Sequence, residues 1–331
     1  MRTVDWRALY ASNRAVIERA GLRASPLAET TSIVAGRTLR TLIHAPANLE
    51  PGIAVPLVCM LHGCTQDAAS FAAATRMNEA ADRHGFVAVY PQQERGENAQ
   101  RCWNWFEPRH QARGAGEPAS IAAVLRELIG TTSALTVDPR RVFVAGLSAG
   151  GAMAAILAAT YPDLFAAVAV HSGLAYWSAT GVAGAFKAMA RGVRDPDACG
   201  RAAHAAMGDL ARPVPSLVVH GSGDRTVVPA NGEQALAQSM AANRLAAPAL
   251  GDVDVARPDA TACGRVPGGH AYEHARWTDR RGVLMHERLV VDGMGHAWSG
   301  GAPGGSYTDP RGPDATEAIW RFFAQVGVAQ R

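Results

Sequence analysis

The feature that most constrains this chain is a short apolar run that stops at a glycine and turns straight into an alanine-rich stretch. Val142-Phe-Val-Ala145 is β-prone and wholly apolar, Gly146-Leu-Ser-Ala-Gly-Gly151 follows without a spacer, and Ala149 to Thr160 carries the small side chains of a buried helix. A strand fed through glycines directly into a helix is the βα unit of a parallel sheet buried on both faces. The same pattern recurs in Pro56-Leu-Val-Cys-Met-Leu61 before His62-Gly63-Cys64, in Phe86-Val-Ala-Val-Tyr90 before Pro91, in Ala166-Val-Ala-Val170 and in Ser216-Leu-Val-Val219. Strands alternating with helices along one chain predict an α/β fold: a doubly wound, mostly parallel sheet with helices on both faces.

The flanking segments complete this reading. Asp5 to Ala20 has the spacing of an amphipathic helix, and Thr31–Val34 and Thr38–His44 read as strands joined at Ala35-Gly36-Arg37. One helix is expected over Ala69–His84, another over Ile121–Leu128, and a closing one over Pro313–Val326. Tyr272–Trp277 and Val283–Val291 alternate as an antiparallel pair. Residues 92–118 and 250–270 read as loops near substrate, and 175–210 as a mostly helical cap or insertion. No internal repeat is visible, and one catalytic domain over 1–331 is expected.

Composition excludes several functions. Hydrophobic residues make up 48% of the 331 and charged residues 18%, which is ordinary globular usage. A net charge of +3 with no basic run interleaved with aromatics argues against nucleic acid as a partner. No stretch approaches the roughly 18 apolar residues of a membrane span. Met1 to Ala20 carries Asp5, Arg7, Arg14, Glu18 and Arg19 rather than an apolar segment, so no secretory signal is predicted and the sequence alone reads as cytoplasmic. Cys59, Cys64, Cys102, Cys199 and Cys263 form no C-x-x-C pair, which argues against zinc, and no metal or cofactor is expected. Five cysteines fit two bridges and a thiol or five free thiols equally well.

Gly146-Leu147-Ser148-Ala149-Gly150 is a G-x-S-x-G pentapeptide between a strand and a helix, the setting of a nucleophile elbow, where the serine sits on a strained turn and its neighbours must lack bulk. A serine hydroxyl needs a base, and an imidazole base needs a carboxylate to fix its tautomer. In α/β-hydrolases the order along the chain is serine, acid, histidine. Asp224, just past the strand ending at Val219, and His296, in the glycine loop after Val291, fit that order. Asp224 as a plain turn residue and His296 as a surface histidine are the alternatives for each alone. Asp292 is a competing acid, but four residues before the histidine it suits a turn better, and His220 is expected to be buried on its strand. The oxyanion of an attacked carbonyl needs preorganised donors, for which the backbone amides of Ala149 and Cys64 are the candidates.

Together these residues resemble the esterase family that includes poly(3-hydroxybutyrate) depolymerases and, more distantly, feruloyl and acetylxylan esterases. The matching pieces are Leu61-His-Gly-Cys-Thr-Gln66, Cys102-Trp-Asn-Trp105, Gly146-Leu-Ser-Ala-Gly-Gly151, His171-Ser-Gly-Leu174, His220-Gly-Ser-Gly-Asp224, Gly295-His-Ala-Trp-Ser-Gly-Gly301 and Ser306-Tyr-Thr-Asp-Pro-Arg-Gly-Pro-Asp314. The resemblance implies cofactor-free hydrolysis of a carboxylic ester through an acyl-enzyme on Ser148, with a small ester or polyester oligomer as substrate. It further implies a Cys64–Cys102 disulfide, with Cys199–Cys263 as a second pairing. Members are often extracellular and often carry a separate substrate-binding domain, and neither a signal nor such a domain is visible here. Trp103, Trp105, Tyr176, Trp177 and Trp298 are expected to form an aromatic rim for substrate. A feruloyl or acetylxylan-type carbohydrate esterase is the alternative within enzymes, and a catalytically dead binding protein is the alternative outside them.

Overall fold

A computed structural model describes residues 27–34, 37–50, 52–130, 136–251 and 254–329. The helix expected over Asp5–Ala20 and the turn residues 35 and 36 lie outside them.

The described strands β1 (Leu27–Val34), β2 (Arg37–His44), β3 (Ala54–Leu61), β4 (Val87–Pro91), β5 (Thr136–Leu147), β6 (Ala167–His171), β7 (Ser216–Gly221), β8 (Ala260–Arg265), β9 (Ala271–Thr278) and β10 (Leu284–Val291) form one sheet. Their order is β1-β2-β4-β3-β5-β6-β7-β10-β9-β8. The six central strands, β4 to β10 in that order, are parallel, while β1 and β2 at one side and β9 and β8 at the other run antiparallel. This is the α/β-hydrolase architecture.

The apolar runs explain why the middle of the sheet is covered twice. Along β3, Leu57, Cys59 and Leu61 join a core on one face, whereas Val58 and Met60 join a core on the other. The first face packs against α3 (Gly116–Gly130), α4 (Ala149–Thr160), α5 (Gly181–Arg191), α6 (Pro196–Met207) and α7 (Ala230–Ala246). The second packs against α1 (Ala68–Thr75), α2 (Met77–His84) and α8 (Ala315–Ala329), through Phe71, Met77, Ile319, Phe322 and Phe323. Burial of both faces, with successive side chains pointing opposite ways, produces uninterrupted rather than alternating hydrophobicity.

Two expectations are corrected, and one helix is added to them. The single helix over Ala69–His84 is two, because Arg76 takes a left-handed conformation at φ 57°. The loop around residues 250–270 contains β8, an edge strand whose side chains are mostly exposed and which is held by main-chain pairing to β9. The helix α7 was not foreseen, because polar residues stand on its buried side. Asn231 donates to the Ala188 carbonyl, Gln238 accepts from the Tyr176 amide, and Asn243 both donates to and accepts from Val214. These bonds tie α7 to α5, to the loop after β6 and to the start of β7, and they erase the apolar stripe that periodicity detects.

Candidate active site

The ends of parallel strands bring the chemistry together. Cys64 follows β3, Ser148 follows β5, Asp224 follows β7 and His296 follows β10, so all four lie beyond the carboxyl edge of the sheet, where α/β folds place ligands.

Ser148 has φ 58° and ψ −120°, a conformation that L residues adopt only under constraint. Its amide donates to the His171 carbonyl at 2.9 Å, and its carbonyl accepts from the Ala152 amide at 2.9 Å. The glycines make the turn possible: a Cβ on Gly146 would lie 2.3 Å from the Gly150 carbonyl, and one on Gly150 would lie 2.0 Å from the Leu61 carbonyl oxygen. The G-x-S-x-G spacing is thus a steric requirement here.

Asp224 and His296 are paired. His296 Nδ1 donates to Asp224 Oδ2 at 2.7 Å, while Asp224 Oδ1 accepts from the Thr226 and Val227 amides, each at 2.9 Å. His220 Nε2 donates to the Val227 carbonyl at 2.9 Å and lies 3.4 Å from Asp224 Oδ2. Burial alone would raise the Asp224 carboxyl, but the hydrogen bonds from His220, His296 and the Val227 amide outweigh it and hold the group far below the usual carboxylate range. An imidazole that donates through Nδ1 to such a carboxylate presents Nε2 as a proton acceptor. The competing acid Asp292 is exposed and accepts from Ser222 Oγ at 3.2 Å.

The loop after β3 is held by hydrogen bonds at both His62 and Gly63. His62 Nε2 accepts from the Gln93 amide at 3.1 Å, so its Nδ1 carries the proton and donates to the Gly63 carbonyl at 2.8 Å. A fixed Gly63 carbonyl fixes the opposite direction of the Cys64 amide in the same peptide plane. The Gly63 amide itself is spent on Gln66 Oε1 at 2.9 Å. Among the described residues neither the Cys64 nor the Ala149 amide has an acceptor. Gly63 packs against Ser148, since a Cβ there would stand 3.5 Å from the Ser148 Cβ. The Cys64–Cys102 disulfide ties this loop to the segment before Trp103.

The second pairing is corrected: Cys199 is a buried thiol on α6 and Cys263 an exposed one on β8. So is the aromatic rim. Trp103, Trp105, Tyr176 and Trp298 are buried, and the polar atoms of Trp103, Trp298 and Tyr176 serve the scaffold. Trp103 Nε1 donates to the His62 carbonyl, Trp298 Nε1 to Thr316 Oγ1, and the Tyr176 hydroxyl to the Gln111 carbonyl. Of the five, only Trp177 is exposed.

Several residues near the site were not assigned a role from sequence. His171, besides taking the Ser148 amide on its carbonyl, accepts the Ser299 amide on Nε2 at 3.0 Å and stacks on Trp298, ring centroids 4.8 Å apart. It therefore joins the serine turn to the segment following His296. Gln66, which accepts from the Gly63 amide, and Tyr307, whose ring centroid lies 6.2 Å from that of His296, are the others. All three stand within the motifs that carry the family resemblance, which was the available signal. Among the described residues no group of three or more His, Cys, Asp or Glu is arranged to hold a metal ion, and no helix is long and apolar enough to cross a membrane.

Residues 43–254 match the profile described as esterase PHB depolymerase. The chain belongs to the esterase PHB depolymerase family. Relatives in and around this family include poly(3-hydroxyalkanoate) depolymerase C of Paucimonas lemoignei, 36% identical over 78% of this chain, and feruloyl esterase B of Neurospora crassa, 32% identical over 60%. The chain spans 58% of the first protein's length and 68% of the second's. The solved acetyl xylan esterase from Aspergillus awamori shares the fold at a TM-score of 0.71 and 22% identity, covering 90% of this chain and 99% of that one.

Burial of two imidazoles makes an acid-stability prediction. Burial holds His62 down to about 4 and His286, on β10, down to about 3, against an ordinary 6.5. Below pH 6.5 the unfolded chain takes up protons on these rings that the folded chain refuses, so folding stability falls as pH falls. The loss runs at about 1.4 kcal/mol per pH unit for each ring, until the folded value is reached. Urea midpoints should therefore decline steeply between pH 6.5 and 4.5, and His286→Gln should flatten the slope by about one proton. A flat profile across that window would contradict the burial of these rings as neutral groups.

Proposed function

We propose that this protein is a serine esterase that hydrolyses poly- or oligo(3-hydroxybutyrate) and related short hydroxyalkanoate esters. The observation that carries the reading is the 2.7 Å His296–Asp224 pair, which lies beyond the same edge of the sheet as a serine on a strained elbow. In this reading Ser148 Oγ attacks the ester carbonyl as His296 Nε2 takes its proton, and the oxyanion is received by the Cys64 and Ala149 amides. The protonated His296 then gives the proton to the departing alcohol, leaving an acyl group on Ser148. Water activated by the same imidazole releases the acid. Asp224 orients His296 and stabilises its cationic form without itself accepting a proton.

The hydroxyalkanoate preference is supported by the longer and higher-identity match to the depolymerase, 36% over 78% of this chain against 32% over 60% for the feruloyl esterase. The test is turnover of a 3-hydroxybutyrate trimer beside methyl ferulate and acetylated xylan, with fluorophosphonate labelling followed by peptide mapping. Trimer cleavage and a single adduct on Ser148 are expected. Cleavage of the carbohydrate esters alone would move the substrate to the carbohydrate branch, and an unlabelled Ser148 in folded protein would remove the esterase reading.

A further inference from the structure

Tyr307 is unusual on three counts. Its side chain is exposed at 43%, its ring stands edge-on to the His296 imidazole with centroids 6.2 Å apart, and its backbone is left-handed at φ 52°. A bulky residue in that region is an outlier, and glycine or asparagine would adopt it more cheaply. The strain is held in place from both sides. The Tyr307 carbonyl accepts from the Trp298 amide at 2.7 Å, and the Ser306 carbonyl accepts from Gln66 Nε2 at 2.8 Å. Gln66 is the residue whose other end takes the Gly63 amide, so the oxyanion loop and Tyr307 are set by a single side chain. Neither packing nor backbone preference accounts for a tyrosine here.

The hydroxyl is also underused. Thr65 Oγ1 donates to the Cys64 carbonyl at 2.6 Å, and its contact with the Tyr307 hydroxyl is a long 3.4 Å, beyond the usual O–H···O range. Among the described residues the Tyr307 hydroxyl has no hydrogen-bond partner besides this long contact. Trp177 is likewise exposed and left-handed, but its ring neighbour is Tyr176.

We propose that Tyr307 is a substrate-contact residue that selects the alcohol half of the ester. This rests on the proposed roles of Ser148 and His296. In an acyl transfer the leaving alcohol must lie against the imidazole that protonates it, and Tyr307 is the exposed aromatic against that imidazole. Its ring covers the alcohol, and its hydroxyl donates to a polar atom that the alcohol carries. In an ester of a hydroxy acid that atom is the carbonyl of the next unit, which aryl and simple alkyl alcohols lack. The residue thus favours chain-internal bonds of an oligoester over esters of plain alcohols.

The test uses two substrate series on the intact chain. In the first the acyl group is always butyrate and the alcohol is 4-nitrophenol, butanol or methyl 3-hydroxybutyrate. In the second the alcohol is always 4-nitrophenol and the acyl chain lengthens from acetate to octanoate. Tyr307→Phe should lower the kcat/KM ratio of the hydroxybutyrate-alcohol ester to the butyl ester by roughly threefold to tenfold, the worth of one neutral hydrogen bond, mainly through KM. The ratios within the acyl series should stay as in wild type. Tyr307→Gly should lose the alcohol preference at least as fully while keeping or raising the melting temperature, because glycine relieves the strain. An altered acyl ratio with an intact alcohol ratio overturns the proposal, as does a Tyr307→Gly protein that melts lower yet discriminates among alcohols normally. Butyrate esters report on any serine esterase, so a wild type inert to the trimer would refute the polyester reading while leaving this result readable.

Discussion

Replacing Ser148 by alanine should lower kcat for 4-nitrophenyl butyrate by a factor of about 10⁶, to a residue set by the oxyanion donors and binding. The fold should survive, because the features that hold the turn do not use the hydroxyl. The Ser148 amide and carbonyl are bonded to His171 and Ala152, and the close approaches are made by Gly146 and Gly150. Alanine faces the same φ of 58° that serine does, so the substitution removes the proposed nucleophile without changing the strain. The measurement is steady-state kinetics beside a thermal melt. A variant that melts like wild type and keeps more than about a hundredth of its activity would mean that another group attacks the ester, against the loss of several orders of magnitude that a nucleophile's removal brings.

The elbow was legible because its physics is local. A tight strand-to-helix turn needs small residues at fixed offsets, and sequence displays offsets directly. The same holds for β3 and for residues 167–170 of β6, whose buried positions are apolar, and for Asp224 and His296, which stand just past strand ends in the order the fold imposes. What stayed hidden depends on contacts between distant segments. The tryptophans illustrate this: near the site in sequence, Trp103 and Trp298 nevertheless turn inward to bond the His62 carbonyl and Thr316. An aromatic beside a catalytic motif reads the same whether it faces substrate or core. Helix α7 was obscured by the opposite effect, polar residues made buriable by partners that lie 29 to 62 residues away. The role of Tyr307 required its backbone angle and its ring's neighbour, neither of which composition encodes. Edge strand β8 had no side-chain pattern to betray it, since main-chain pairing alone recruits it.

Asp224→Asn should lower kcat about 10⁴-fold with little change in KM, the effect expected when an imidazole is driven into the wrong tautomer. The carboxylate now accepts on both oxygens: Oδ1 takes the Thr226 and Val227 amides, and Oδ2 takes His296 Nδ1. An asparagine has one acceptor oxygen and one donor nitrogen. If the oxygen keeps the two backbone amides, the nitrogen faces His296 and donates, so Nδ1 must become the acceptor and the proton moves to Nε2. An Nε2–H imidazole cannot take the proton of Ser148. If the amide flips, the Thr226 and Val227 amides lose their acceptor, which for the buried Val227 amide alone costs about 1–3 kcal/mol, so the first orientation wins. His220 Nε2, 3.4 Å from Oδ2, keeps its bond to the Val227 carbonyl and does not rescue the tautomer. The control is Asp292→Asn. That side chain is exposed and bonded to Ser222, so its loss should change kcat by less than about twofold, as surface substitutions do. Reversal of the two results would transfer the orienting role to Asp292, and the 2.7 Å contact would then be an incidental salt bridge rather than the arrangement that fixes the base.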